Sequence, residues 1–177
     1  MCKYAKYALM PSLLMGLIMA CFCACKPTPQ QVHHLSQDRE ADTTLIAQMQ
    51  WNMHMSSIAD QQCAEYMQQD TIPYAMDDFG FWYSHTIRTQ SDSLMRGQLV
   101  ALHMQVYLLT DSLIADICEE VTIGSNELPL AISRGLLSMR AGEQMHIIAP
   151  WYTAYGVEGT KLIPPYTNVK FIISTIE

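Results

Sequence analysis

Basic side chains are scarce in this 177-residue chain: ten Lys and Arg stand against seventeen Asp and Glu, a net charge of −7. Two of the ten, Lys3 and Lys6, lie in the first twenty residues, where there is no acid, so the rest of the chain carries 8 − 17 = −9. A body this acidic has no footprint for phosphate backbones, which excludes nucleic acid as an expected partner. Cysteine is scarce where it would matter. Cys2, Cys21, Cys23 and Cys25 crowd the N-terminus, and only Cys63 and Cys118 remain in the body. That rules out a disulfide framework and a four-thiolate zinc site; one bridge, or two free and buried thiols, both fit. The six histidines include no i, i+4 pair and no HExxH spacing, and no nucleophilic triad is apparent, so neither a metal nor a cofactor is expected. Charge is also sparse, at 15 % against 50 % hydrophobic residues, which excludes disorder over most of the length. The length allows one domain with attachments, hardly two full domains.

What is present begins with an N-terminal address. Lys3 and Lys6 precede an apolar run from Ala8 to Cys25, with Pro11 and Gly16 inside it and no charge before Lys26. The run is close to the shortest that spans a bilayer, and its basic start and small-residue end read as a secretory signal, with an uncleaved anchor as the alternative. Ile18-Met19-Ala20-Cys21 resembles the lipobox of bacterial lipoproteins, whose cysteine is acylated and becomes the mature N-terminus. Cys25, after Phe22-Cys23-Ala24, is a rival acceptor. The expected organisation is a signal over residues 1–25, a Pro-containing tether over 26–35, a helical segment over 36–79 and a folded domain over 80–177. Acyl chains would anchor the protein to a bacterial membrane, facing the periplasm, without a spanning helix.

Neither Gly nor Pro occurs between Gln30 and Ile72. Leu45, Ile46, Met49 and Met53 fall at helical spacing, and Cys63, Tyr66 and Met67 resume an apolar stripe, so one or two helices are expected, ended before Pro73. Their Met and Gln content fits either packing on the chain's own domain or a partner-binding surface. From Gly80 the period changes to that of strands. Val100, Leu102, Met104, Val106 and Leu108 alternate with Ala101, His103, Gln105, Tyr107 and Leu109, and short strands are expected at 113–117 and 121–123. A helix over 128–139, with Pro129 in its first turn, and strands at 145–149 and 169–176 complete an α+β reading with an antiparallel sheet.

The last third is the most specific. Gly135-Leu136, Met139-Arg140-Ala141-Gly142-Glu143, Ala149-Pro150, Ala154-Tyr155-Gly156, Ile163-Pro164-Pro165 and Phe171 follow one another at close spacings. In that order they resemble the C-terminal half of FKBP-type peptidyl-prolyl isomerases. With the helical stretch, Gly80-Phe81-Trp82-Tyr83 and the lipoprotein signal, the chain also resembles FKBP-type lipoproteins of Bacteroidota associated with gliding motility. The resemblance implies an antiparallel sheet wrapped over one short helix, an apolar pocket between them, and prolyl-containing polypeptides of the cell envelope as partners.

Such chemistry requires no nucleophile. Rotation about a peptide C–N bond has a barrier of ~18–20 kcal/mol because resonance gives it double-bond character. An apolar pocket removes the hydrogen bonding that favours the planar amide, and each ~1.4 kcal/mol of differential stabilisation is tenfold in rate. X–Pro bonds are the relevant ones, since their cis form is nearly as stable as trans.

Carried over residue by residue, the resemblance assigns Tyr155 as the hydroxyl donating to a bound carbonyl, Ile163 as an apolar wall and Phe171 as the aromatic of the last strand. Ile132 stands where the family has a Trp floor, Met104 where it has a Tyr, and Leu128 at an aliphatic wall position. Pro129 stands where a backbone N–H normally donates, and has none to give. The family's acidic residue aligns with Asp116, or with Ala115 if that stretch shifts by one residue. A catalytically weak fold that binds partners without turnover is the alternative these departures leave.

Overall fold

The computed structural model describes residues 34–176. The signal, the acylation candidates Cys21 and Cys25 and most of the tether therefore lie outside the described residues. Helix α1 runs over His34–Gln69 as a single element and ends before Pro73. The chain divides into two compact units between Ile46 and Ala47, and the sheet and the candidate site lie in the second.

That unit is built on a six-stranded, wholly antiparallel sheet: β1 (Ala75–Met76), β2 (Trp82–Ile87), β3 (Leu99–Leu108), β4 (Leu113–Thr122), β5 (Gln144–Ala149) and β6 (Val169–Ile176), ordered β1-β2-β5-β6-β3-β4. The fold is therefore the expected one, a sheet with one short helix, α2 (Leu130–Leu136), on its inner face. Cross-strand partners show how the alternation in sequence builds two faces. Met104 pairs with Ile117 and Ile173, and Val106 with Ala115 and Phe171, so these side chains share one face. There Leu102, Met104, Val106, Val169, Phe171 and Ile173 are buried. Ile147 joins them from β5, and Ala131, Ile132 and Leu136 close the core from α2.

Gly135 explains why the helix lies so close. A Cβ there would stand 2.8 Å from Ile147 Cδ1 and 3.3 Å from Met145 Sδ, so a side chain at this position would require those two side-chain ends to shift. Glu143 is buried with its carboxylate accepting the backbone N–H groups of Arg140 (3.0 Å) and Thr89 (3.3 Å). These bonds fix the turn before β5 and supply the partners a buried carboxylate requires.

Three expectations need correction. The helix read at 128–139 is only Leu130–Leu136, with Pro129 immediately before it. The two short strands expected at 113–117 and 121–123 are one continuous β4. Cys118 is exposed rather than buried; both it and Cys63 are free, and burial, reinforced by the nearby Asp60 charge, pushes the Cys63 thiol up to about 12. Along α1, Leu45, Ile46, Met49 and Met53 are exposed, whereas Ala59 and Cys63, further along, are buried.

Candidate active site

Six of the seven residues selected from the sequence converge. Phe171 on β6, Ile132 on α2, Met104 on β3 and Ile163 in the β5–β6 connection are members of one buried apolar cluster, and Leu128 and Tyr155 pack against it half-buried. The rings of Tyr155 and Phe171 are 5.9 Å apart and tilted by 56°. Membership of a core is not in itself a site. The feature that stands out is the Tyr155 hydroxyl, which has no hydrogen-bond partner among the described residues although its ring rests on apolar groups. Burial, and secondarily the charge of Glu119, raises its pKa above the ordinary tyrosine value, so it stays a proton donor. An uncommitted O–H beside apolar walls can receive a carbonyl oxygen while the rest of that amide loses water.

Asp116 is not part of this group. It pairs with Gln105 across the β3–β4 ladder and so lies on the opposite face of the sheet from Met104, Ala115 and Ile117. Its carboxylate accepts from Gln105 Nε2 (2.9 Å) and meets His103 Nε2 (2.7 Å), and these two bonds lower its pKa. The residue of this strand that does face the core is Ala115, packed against the apolar cluster.

An acidic group exists on the inward row all the same. Glu119 pairs with Leu102, two places beyond Ile117, and its charge acts on Tyr155. Sequence reading missed it because Cys118-Glu119-Glu120 resembles a break between two strands; continuing the alternation Ala115, Ile117, Glu119, Val121 would have found it.

The connection carrying Tyr155 and Ile163 runs from Pro150 through a short 3-10 turn (Trp151–Thr153) to Asn168. Gly156 N–H donates to Trp151 O (2.8 Å), Gly159 N–H to Tyr155 O (3.1 Å) and Thr160 N–H to Ile163 O (2.7 Å). Gly159 is required here, with φ +65 and a position where a Cβ would lie 2.3 Å from Ile163 O. On the other face of the sheet a cleft of about 500 Å³ is lined by Tyr66, Asp70, Asp111, His146 and Lys170, but the Lys170 ammonium is already engaged by Asp111 and Tyr66. Among the described residues there is no cluster able to hold a metal ion, and no helix is long and apolar enough to cross a membrane.

Residues 91–176, just under half of the chain, match the family model of FKBP-type peptidyl-prolyl cis-trans isomerases. This stretch is similar to that family, and β1 and β2 extend its sheet upstream of the matched residues. Solved structures share the fold. FkpA from Escherichia coli superposes with a TM-score of 0.60 at 15% identity, covering 93% of this chain and 79% of that one. A peptidyl-prolyl cis-trans isomerase from Pseudomonas syringae gives 0.57 at 16% identity, covering 69% and 94%. The N-terminal domain of FKBP42 from Arabidopsis thaliana gives 0.53 at 19% identity, covering 59% and 90%. No curated protein matches the chain.

Proposed function

We propose that the protein is a peptidyl-prolyl cis-trans isomerase that assists folding of exported polypeptides at the cell envelope. The unpartnered Tyr155 hydroxyl at the edge of the Phe171–Ile163–Ile132 cluster carries this reading. A substrate carbonyl accepts from that hydroxyl, the proline ring enters beside Leu128 and the inward row of β4, and the amide, stripped of water, twists more readily than in solution. Met104, under the β3–β6 ladder, forms part of the floor together with Ile132. Asp116 takes no part.

The tether belongs to the same proposal. The lipobox-like Ile18-Met19-Ala20-Cys21, or the rival Cys25, supplies an acyl anchor holding the domain on the periplasmic side of a bacterial membrane. The resemblance to FKBP-type lipoproteins of Bacteroidota supports that location and does not support any role in gliding.

One observation favours a second reading, a module that binds prolyl segments without turnover. Phe171 and Ile132 are fully buried, so a proline ring touches them only after the half-buried side chains above them part. Pro129, in addition, offers no N–H to orient the ligand.

The test is Tyr155→Phe in the full chain, held in detergent. Because the hydroxyl has no partner among the described residues, thermal stability stays within about 0.5 kcal/mol of the parent, while loss of one substrate hydrogen bond lowers kcat/KM on X–Pro peptides about two- to tenfold. An unchanged rate would refute the role of Tyr155.

A further inference from the structure

The β5–β6 connection, which carries both Tyr155 and Ile163, has little regular structure of its own between Ala154 and Asn168. Chain of that kind is normally mobile, and the geometry needed to meet a carbonyl oxygen has to be imposed on it. Four contacts from α1 do this at separate points. Tyr166 Oη donates to Asn52 Oδ1 (2.9 Å) and Tyr152 Oη to Asp60 Oδ1 (2.6 Å). Asn168 Nδ2 donates to Gln62 Oε1 (2.8 Å), and Trp151 Nε1 to the Met55 carbonyl (3.4 Å). The bonded rings also pack on each other, Trp151 lying 4.8 Å from Tyr166 and 5.5 Å from Tyr152.

Tyr166 is the informative member. Its backbone is left-handed, at φ +57, which is costly for a residue with a side chain, so something outside the local chain must hold it. In that conformation its N–H donates to Gly156 O (3.2 Å), next to Tyr155, and Gly156 N–H donates in turn to Trp151 O. A path of contacts therefore runs from Asn52 through Tyr166 to the residue beside the donor hydroxyl.

We propose that Asn52, Asp60 and Gln62 of α1 are positioning residues for the Tyr155 loop, so that the helix preceding the FKBP-like domain is a working part of its site. The claim about rate rests on the isomerase reading above; the claim about loop order does not.

The experiment compares the full chain, in detergent, with Asn52→Ala, Tyr166→Phe, the double variant, Asn52→Asp and, as a control, Gln50→Ala, an exposed position on the same helix. Hydrogen exchange is read at the amides of Gly156, Gly159 and Tyr166, and kcat/KM on X–Pro peptides. Asn52→Ala and Tyr166→Phe each speed exchange at those amides about two- to tenfold and lower kcat/KM by a similar factor, leaving β3 and β6 amides unchanged. The double variant is no worse than either single one, Asn52→Asp keeps an acceptor and restores both readouts, and Gln50→Ala changes neither. Unchanged loop exchange, or exchange accelerated equally across the sheet, overturns the proposal. Loosened loop amides with an unaltered rate overturn the link to the site. Loosened loop amides in a protein whose parent has no detectable catalysis uphold the splint and overturn the isomerase reading instead.

Discussion

Replacing Gly159 by Ala perturbs the connection at its tightest point. The residue has φ +65, where a side chain costs about 1–2 kcal/mol. The added Cβ would lie 2.3 Å from Ile163 O and 2.7 Å from Pro164 C, both backbone atoms that no side-chain rotation can move aside. To relieve the overlap Ile163 O must swing away from Thr160 N–H, now 2.7 Å distant, which forfeits a hydrogen bond worth about 0.5–1.5 kcal/mol net. The two costs together are roughly 1.5–3.5 kcal/mol. At about 2–4 °C per kcal/mol for a chain of this size, that corresponds to a fall in Tm of roughly 3–14 °C. If the loop opens locally instead, the whole-protein midpoint holds while the Thr160 amide exchanges faster. Either way Ile163 leaves the apolar cluster and kcat/KM falls. Calorimetry, exchange at Thr160 and a peptide isomerisation assay decide the matter. A Gly159→Ala protein with Tm within 1 °C of the parent, the same Thr160 protection and the same rate would refute the reasoning.

Three further outcomes follow from the same geometry. Asp116→Asn leaves kcat/KM within about twofold of the parent, because its carboxylate is on the far face of the sheet; a larger loss in a stable protein would return Asp116 to the site. Phe171→Ala removes a fully buried ring and lowers stability by about 3–5 kcal/mol, measurable by denaturant titration, so any loss of activity it causes reflects the fold as much as the chemistry. Tyr66, Tyr74, Tyr152 and Tyr155 all have pKa values raised, burial being the largest cause in each. Raised acids are bound more tightly to their protons in the folded state, so this stability is fully present below the unfolded tyrosine value of about 10 and is lost as pH climbs above it. Thermal midpoints measured from pH 8 to 11 therefore fall at the alkaline end, and a midpoint that rises there would contradict the burial argument.

Much of the C-terminal architecture was legible because its signals are local. The alternation along β3 and β6 identifies the buried rows directly, and Tyr155 and Ile163 lie close in sequence and join one apolar cluster. Asp116 misled because a strand reverses its face every residue: a shift of one position exchanges Ala115 for Asp116 and moves a carboxylate from core to solvent. Consecutive carboxylates suggest a loop and so divide β4 in two on sequence alone, yet β4 is a sheet-edge strand on which both Glu119 and Glu120 stay exposed. The early apolar stripe of α1 raised an expectation of packing, and Leu45, Ile46, Met49 and Met53 are exposed. Further along, Ala59 and Cys63 are buried, and polar residues such as Asn52, Asp60 and Gln62 also tie α1 to the domain through partners 92–114 positions away. No local pattern marks such a pairing; only the folded chain brings the two together.

The central claim is that the Tyr155–Phe171 site turns over prolyl bonds, and the most direct test is the cis/trans exchange rate of short X–Pro peptides, varied at the residue before proline, in the presence of the folded full chain. The account predicts exchange faster than the uncatalysed tens to hundreds of seconds, increasing in proportion to protein concentration and returning to the uncatalysed rate when the same protein is unfolded. Exchange unaltered by the folded protein across the whole peptide series would contradict it and leave a tethered binding module in its place.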